Sequence, residues 1–251
     1  MLNVDIDDRG VATVTLDRPE VRNALDIALI ERLLETVDSL GRDDKVRVVV
    51  LAGTGKAFCA GADLNYMKAM AGYTEEENLA DSRRLGALFN SFRTSPKPSV
   101  ARVHGAAFAG GLGLLAAADI AIAEEQTVFC ISEVKLGLVP ANIMPYVVDC
   151  MGGRMARRYA VTGERFSAAM ARDTGLVHEV VPAAELDAAV EAVVKELLSA
   201  GPIAVSECRR LLDMAAPLTS PEIREHMSAR LAALRVGDEA QQRLAAFLRK
   251  A

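Results

Sequence analysis

The chain has 251 residues, of which 51% are hydrophobic and 25% charged, so it can bury the core of one large domain and is not expected to be disordered. Its formal net charge of −5 gives it no general electrostatic attraction to nucleic acid. The longest uncharged run, residues 105–118, is too short to span a bilayer, and the opening MLNVDIDDRG resembles neither a signal nor a transit peptide.

The cysteines contain no C-x-x-C pair, so the sequence predicts no metal cluster. They lie in apolar or helical contexts, which is typical of reduced thiols. We therefore expect a cytoplasmic protein that binds neither nucleic acid nor a membrane. The four residues are Cys59, Cys130, Cys150 and Cys208.

The first part of the chain alternates strand patterns with helix patterns. LNVDI and VATVTL alternate apolar and polar residues around DDRG, which predicts a hairpin. Asp26 precedes a run of apolar residues at helical spacing that ends at Gly41, and VRVVVLAG (46–53) is typical of a strand buried on both faces. A polar helix is predicted over about 75–95, and strands over 97–103, DIAIAEE and TVFCI. This alternation predicts an α/β fold with parallel strand pairing.

After about Pro182 the pattern becomes entirely helical. We therefore divide the chain into a core, residues 1–182, that carries the site, and a helical region, residues 183–251. The helical region packs either on this core or on a neighbouring subunit. Its four helices are predicted over 183–199, 202–215, 220–236 and 238–249, separated by AGP, PLTSP and VGD.

Two glycine-rich turns follow two of the buried strands: GKAFCAGADL (55–64) and HGAAFAGGLG (104–113). Glycine permits close backbone approach, and the start of a helix presents free N–H groups with a partial positive charge. Two such N–H groups that converge on one point would form an oxyanion hole. The alternative is that the glycines only permit tight packing of helix against strand.

A third segment, FCISEVKLGLVPANIMPYVV (129–148), places Glu133 in apolar surroundings. Burial would raise the pKa of this carboxyl and suit proton transfer near neutral pH; the alternative is a structural ion pair with Lys135, Arg154 or another base. Asn142 is the one polar side chain in PANIMP, and it either hydrogen-bonds a substrate carboxylate or water or caps the following helix.

In this order and spacing, these segments resemble the enoyl-CoA hydratase/isomerase (crotonase) family. The resemblance also covers VTLDRPEVRNAL (14–25) and ARRYAVTGERFSAAMARDTGLVHEVV (156–181), so it extends over nearly the whole chain. It implies a spiral of ββα units, a carboxy-terminal helical region that builds trimers often paired into hexamers, and an acyl-CoA thioester substrate. It implies no metal or redox cofactor, with coenzyme A present as part of the substrate. GAAFAGGLGL and FCISEVKLGL are similar to bacterial methylglutaconyl-CoA hydratases of leucine and isovalerate metabolism.

The resemblance also implies roles for individual residues. The backbone N–H groups of Ala62 and Gly110 would hold the thioester oxygen as it becomes an enolate, and Glu133 would transfer the proton. The resemblance implies contacts with the acyl-CoA for Arg22, Lys56, Ala60, Asp63, Leu64 and Lys250, the last reaching the coenzyme A of a neighbouring subunit. For Arg22, Lys56 and Lys250 the alternative is plain surface charge.

Gly113 departs from the pattern of the hydratases in this family, which typically carry a second glutamate at that position. Because residues i and i+3 share a helix face, a side chain there would point beside Gly110 into the site. We expect Gly113 to leave space, which the substrate's terminal carboxylate, a water or a bicarbonate occupies.

With one glutamate, more than one reaction is open. Hydration or dehydration between 3-methylglutaconyl-CoA and 3-hydroxy-3-methylglutaryl-CoA is favoured by the detailed resemblance. Isomerisation of an enoyl-CoA and decarboxylation of an acyl-CoA on the same scaffold are the alternatives. A non-catalytic RNA-binding protein is a further alternative, which the acidic composition and the lack of a basic, aromatic-rich segment oppose.

Overall fold

The computed structural model describes residues 1–215 and 221–249. Nine strands form two sheets within these ranges: β1 (Leu2–Ile6), β2 (Val11–Leu16), β3 (Val48–Gly53), β4 (Ser99–Val103), β5 (Ala106–Phe108), β6 (Ile120–Glu124), β7 (Val128–Cys130), β8 (Arg165–Ser167) and β9 (Glu179–Val181). The main sheet has the order β1-β2-β3-β4-β6-β9, in which β1 is antiparallel to β2 and all other neighbours are parallel. The second sheet has the order β5-β7-β8.

Ten helices surround these sheets in the described ranges: α1 (Ile27–Arg42), α2 (Leu64–Met70), α3 (Glu75–Thr94), α4 (Gly110–Ala117), α5 (Met144–Thr162), α6 (Ala168–Asp173), α7 (Leu186–Ser199), α8 (Pro202–Ala215), α9 (Pro221–Arg235) and α10 (Asp238–Leu248). Short 3₁₀ turns lie at Pro19–Val21, Glu133–Leu136 and Ala183–Glu185. Among these described helices, none has both the length and the apolar character that a bilayer crossing requires.

One local unit recurs along the chain. Strand β4 lies in the main sheet, β5 lies in the second sheet, and α4 follows; β6, β7 and α5 repeat the sequence. After β3, Cys59 forms an isolated parallel bridge with Ala107 of β5 before the chain enters α2. The predicted α/β fold built as a spiral of ββα units is therefore confirmed.

The predicted amino-terminal elements are also present. The hairpin pairs β1 with β2, and the Asp26 side chain caps α1 by accepting a hydrogen bond from the N–H of Leu29 at 2.8 Å. Helix α1 continues through Arg42, one residue beyond the predicted stop.

Strand β3 is covered on both faces, as its uninterrupted apolar sequence predicts. Val49 and Leu51 belong to the large core that includes α1, α3 and α4. Val48 and Val50 belong to a smaller core with residues of α7, the first long helix after Pro182.

The carboxy-terminal helices pack on the core of the same chain. Helix α9 lies along α3, and α10 contacts the 3₁₀ turn Glu133–Leu136. Helix α8 is held by Arg209, whose Nε donates to Asp119 Oδ1 at 2.7 Å and whose Nη2 donates to the Phe92 carbonyl at 3.1 Å. These contacts place α9 and α10 over the end of the core where the glycine turns lie.

Candidate active site

The turn after β3 presents the N–H group of Ala62, which has no acceptor in the described part of the chain. Leu25 and Ala62 form a parallel bridge, in which the Leu25 N–H donates to Gly61 O at 2.7 Å and the Asp63 N–H donates to Leu25 O at 2.8 Å. In such a bridge the N–H of the central residue points away from the partner strand. The N–H of Ala62 accordingly has no acceptor among the described residues.

The second turn presents another such group. Ala109 has φ +47° and ψ −118°, a conformation that costs an L-residue of order 1–3 kcal/mol, and its N–H donates to Cys130 O at 2.9 Å. The strained residue turns the chain directly into α4, which begins at Gly110. As the first residue of this helix, Gly110 has an N–H with no partner inside the helix.

Close packing brings the two turns together. The Cys59 N–H donates to Ala106 O at 3.1 Å, and the Phe108 N–H donates to Cys59 O at 3.0 Å. A Cβ at Gly111 would lie 2.3 Å from Cys59 O, and one at Gly61 would lie 3.2 Å from the Cβ of Ala109. The glycines thus permit tight packing, and that packing places both free N–H groups beside one cavity.

Glu133 begins the 3₁₀ turn after β7, and its Oε2 is buried without a hydrogen-bond partner in the described part of the chain. Removal from water raises the pKa of this carboxyl to about 7, although hydrogen bonds from the backbone N–H groups of Glu133 and Ser132 lower it in part. Neither of the ion pairs considered for it, with Lys135 or with Arg154, is present. The side chain is therefore a desolvated acid or base.

A cavity of about 1120 Å³ joins these groups. This volume is at the upper end for small-molecule sites and suits a long thioester. Buried apolar side chains, among them Met67, Met70 and Leu244, line its inner part. Of the residues predicted for the site, the cavity is lined by Arg22, Ala60, Ala62, Asp63, Leu64, Gly110, Glu133 and Asn142.

Asp63 reaches this wall mainly as a structural residue. Its Oδ1 accepts the N–H of Asn65 at 2.8 Å and caps α2, while its Oδ2 pairs with Arg18 at 3.0 Å. The predicted contact with the acyl-CoA stays a prediction. Lys56 is exposed and does not line the cavity, and Lys250 lies outside the described residues.

The space predicted at Gly113 does not exist. A Cβ at this position would lie 2.3 Å from Ile143 Cγ2 and 2.9 Å from Phe89 Cζ, and Gly113 does not line the cavity. Because Gly113 has no side chain, α4 packs tightly against Ile143 and Phe89 at this position. Neither a substrate carboxylate nor a water fits there.

Asn142 does not cap the following helix, because α5 begins at Met144 and its first turn has no side-chain cap. Its Nδ2 donates to the carbonyl and the hydroxyl of Ser82, each at 3.0 Å, and its Oδ1 accepts from Ser228 Oγ at 3.2 Å. The predicted capping role is therefore wrong. The hydrogen bonds of the amide join the segment before α5 to α3 and α9 instead.

Two polar residues of the cavity wall escaped the sequence analysis. Asp81 of α3 accepts hydrogen bonds from Tyr66 Oη and from Arg235 Nη1, the latter at 2.7 Å. All three residues line the cavity. Arg235 and Asp81 are 154 positions apart, so no local pattern in the sequence could pair them.

Comparison with known proteins identifies the family and agrees with the fold. Residues 7–251 match the family model described as enoyl-CoA hydratase/isomerase. The hydroxycinnamoyl-CoA hydratase-lyase of Pseudomonas fluorescens is 32% identical over 236 residues, which are 92% of this chain and 84% of that protein.

Solved structures give the same result. An enoyl-CoA hydratase from Shewanella pealeana superposes with a TM-score of 0.84 at 40% identity and covers 99% of this chain and 93% of that one. An enoyl-CoA hydratase from Mycobacterium avium superposes with a TM-score of 0.87 at 33% identity, covering 98% and 96% respectively. The chain therefore belongs to the enoyl-CoA hydratase/isomerase family and has the crotonase fold.

Proposed function

We propose that the protein adds water to, or removes water from, a short branched enoyl-CoA, with 3-methylglutaconyl-CoA and 3-hydroxy-3-methylglutaryl-CoA as its substrate pair. The observation that carries the reaction is the meeting of two free backbone N–H groups and one desolvated carboxyl at a single cavity. The choice of acyl group is supported by the resemblance of GAAFAGGLGL and FCISEVKLGL to methylglutaconyl-CoA hydratases.

In this proposal, the N–H groups of Ala62 and Gly110 donate to the thioester oxygen. When water adds to Cβ, negative charge moves from the C–C double bond to this oxygen and forms an enolate. Donors that already point at the developing charge stabilise it without reorganisation, and one donor of this kind commonly contributes about 10²–10³ in rate.

Glu133 acts as base and then as acid. Its carboxylate accepts a proton from the water that attacks Cβ, and the resulting carboxylic acid delivers that proton to Cα as the enolate collapses. One carboxyl thus serves both steps, and it returns to the carboxylate form at the end of each turnover. A pKa of about 7 keeps both protonation states accessible at neutral pH.

The coenzyme A part of the substrate lies toward the polar rim of the cavity, where Arg22, Lys68 and Lys135 are exposed. These cations suit the phosphates of the cofactor portion. The proposed reaction uses coenzyme A only as part of the substrate and requires no metal or redox group.

Isomerisation is the second candidate, and the closed site at Gly113 supports it, because a base that moves one proton needs no second carboxylate. Among the described cavity residues, Asp63 and Asp81 are each bound to an arginine, and Glu20 is exposed. Decarboxylation would also need only the oxyanion donors and one acid to protonate the enolate.

One experiment separates these reactions. The purified protein is incubated in deuterated water with 3-methylglutaconyl-CoA, crotonyl-CoA and a 3-enoyl-CoA, and the products are identified by mass spectrometry. Hydration predicts the gain of water with one deuterium on Cα. Double-bond migration or loss of carbon dioxide without gain of water would contradict the proposed hydration.

Assembly into a trimer, or a pair of trimers, belongs to the same proposal. Among the described side chains of α8, three large apolar ones are exposed, which supports a protein contact on this face: Ile203, Leu211 and Leu212. Light scattering with size-exclusion chromatography tests this, and a monomer at micromolar concentration would contradict it.

A further inference from the structure

We propose that Arg235 determines the acyl specificity of the cavity by donating its Nε–H to a carboxylate at the far end of the acyl group. This inference rests on the proposed function, because it names the class of acyl group that enters the same site. It concerns binding of the acyl group and assigns Arg235 no part in the proton transfer.

The guanidinium of Arg235 is only partly used by the protein. Its Nη1 donates to Asp81 Oδ2 at 2.7 Å, while its Nε is buried and has no hydrogen-bond partner in the described part of the chain. A buried N–H without an acceptor is unfavourable, and Arg235 lines the cavity. An acceptor on a bound ligand would remove this deficit.

The side chain is held in place by its neighbours. Asp81 is 3% exposed, and its other oxygen accepts from Tyr66 Oη in the first turn of α2. This turn follows Ala62 directly, so the group is attached to the same segment that presents the first oxyanion donor. Helix α10 fixes the end of α9, since Gln241 Nε2 donates to the Arg235 carbonyl at 2.7 Å.

The remaining surroundings favour a charged ligand group at this point. The helices that carry these three residues also contribute apolar side chains to the cavity, Met67, Met70, Leu85 and Leu231, and α10 contributes Leu244. An acyl chain fits this surface, but a terminal carboxylate needs a donor, and among the described cations that line the cavity Arg235 is the one that is not exposed. Hydrogen bonds between arginine and a carboxylate are charge-assisted and are stronger than neutral ones.

The electrostatic balance of the cavity agrees with an anionic acyl group. Asp81 pairs with Arg235 and neutralises its charge, and Arg18, which does not line the cavity, neutralises Asp63. The cavity also carries four further cations, namely Arg22, Lys68, Lys135 and Arg165, against the exposed Glu20 and the partly protonated Glu133. The side chains that line the cavity therefore carry a net positive charge.

The test measures binding of unreactive ligands, so it does not depend on turnover. Glutaryl-CoA carries the terminal carboxylate, and hexanoyl-CoA is of similar length without it. Their Kd values are measured by calorimetry for the full-length protein, for Arg235→Lys, and for the double variant Asp81→Asn with Arg235→Gln. Lysine preserves the charge opposite Asp81 but places a methylene where Nε was. The double variant removes both charges together, so no unpaired ion is buried.

The matched control is Arg83→Lys. Arg83 joins the same two helices, α3 and α9, through an ion pair with Glu225 that is exposed and outside the cavity. This variant should leave the ratio of the two Kd values unchanged.

We expect the unmodified protein to bind glutaryl-CoA at least about 10-fold more tightly than hexanoyl-CoA. Both Arg235 variants should lower this preference by about 10- to 100-fold, because one charge-assisted hydrogen bond is lost. If Arg235 had only a structural role, its replacement would raise the Kd values of both ligands by the same factor and leave their ratio constant. That result would overturn the inference. Equal affinity of the unmodified protein for both ligands would also overturn it.

Crotonyl-CoA hydration by the unmodified protein is measured in parallel. Hydration without any preference for glutaryl-CoA would refute the role of Arg235 and leave the proposed reaction intact. A clear preference without hydration of either crotonyl-CoA or 3-methylglutaconyl-CoA would refute the proposed reaction instead.

Discussion

Replacing Glu133 by glutamine tests the burial on which the proposed chemistry depends, through stability as well as activity. The pKa of the folded carboxyl is raised from 4.5 to about 7. Between these values the unfolded chain has lost the proton that the native protein still holds. The stability contributed by the protonated carboxyl is therefore fully present below about pH 4.5 and is lost as the pH rises through about 7.

The magnitude follows from this interval. It spans about 2.5 pH units, and each unit corresponds to about 1.4 kcal/mol, so the native carboxylate costs about 3 kcal/mol above pH 7. The glutamine variant has no such cost. Its free energy of unfolding should exceed that of the unmodified protein by about 2–3 kcal/mol more at pH 8 than at pH 5.

Urea unfolding at both pH values measures this difference. Glu164→Gln is the control, because Arg158 lowers the pKa of this surface carboxyl below its usual value of 4.5, so Glu164 stays ionised in the native and the unfolded chain and its contribution should change little between pH 5 and pH 8. If Glu133→Gln and the unmodified protein show parallel stability curves from pH 5 to pH 8, Glu133 is not desolvated and the reasoning is refuted. The same variant should lose about 10²–10⁴ in kcat, and near-normal activity would refute the assignment of the base.

Three further results are expected. For hydration, kcat/KM should rise with pH to a plateau above about 7, because the free enzyme needs Glu133 as a carboxylate; a flat profile from about pH 6 to 8 would contradict this. Gly113→Ala should lower the free energy of unfolding by about 1–3 kcal/mol, since the new methyl group meets Ile143. The control Gly153→Ala in α5, where a Cβ has open space, should raise the free energy of unfolding by about 0.5 kcal/mol. Similar values for both variants in urea titration would disprove the difference in packing. Asn142→Ala should destabilise the protein by about 2–3 kcal/mol with a change in KM of less than about twofold. A large rise in KM at unchanged stability would show instead that Asn142 contacts the substrate.

Much of the fold follows from local patterns. The cap at Asp26 and the apolar spacing after it specify α1, and the uninterrupted apolar sequence of β3 specifies a strand covered on both faces. Such elements can be predicted because their hydrogen bonds and periodicity involve residues a few positions apart. The burial of Glu133 also agrees with the apolar residues around it.

The predictions from sequence were wrong where the role of a residue depends on side chains that are distant along the chain. Gly113 reads as a vacancy in the sequence, but Ile143 and Phe89 close the position. The sequence allows Asn142 as a helix cap, but its amide bonds Ser82 and Ser228 instead; its contact with the substrate stays a prediction. Neither partner set shares a local pattern with the residue concerned.

The sequence by itself determined the alternation of strands and helices, the two glycine turns and the acid in apolar surroundings that follows them, because these depend on short-range pattern and composition, while the spiral of ββα units was implied by the family resemblance. Only the tertiary structure decided that the N–H groups of Ala62 and Gly110 open on the same cavity as Glu133. It alone also placed Arg235 beside Asp81 and left its Nε without a hydrogen-bond partner among the described residues. The physical reason is that the packing of distant segments against each other decides which hydrogen-bond donors lack a partner and which positions are too tightly packed to hold a ligand.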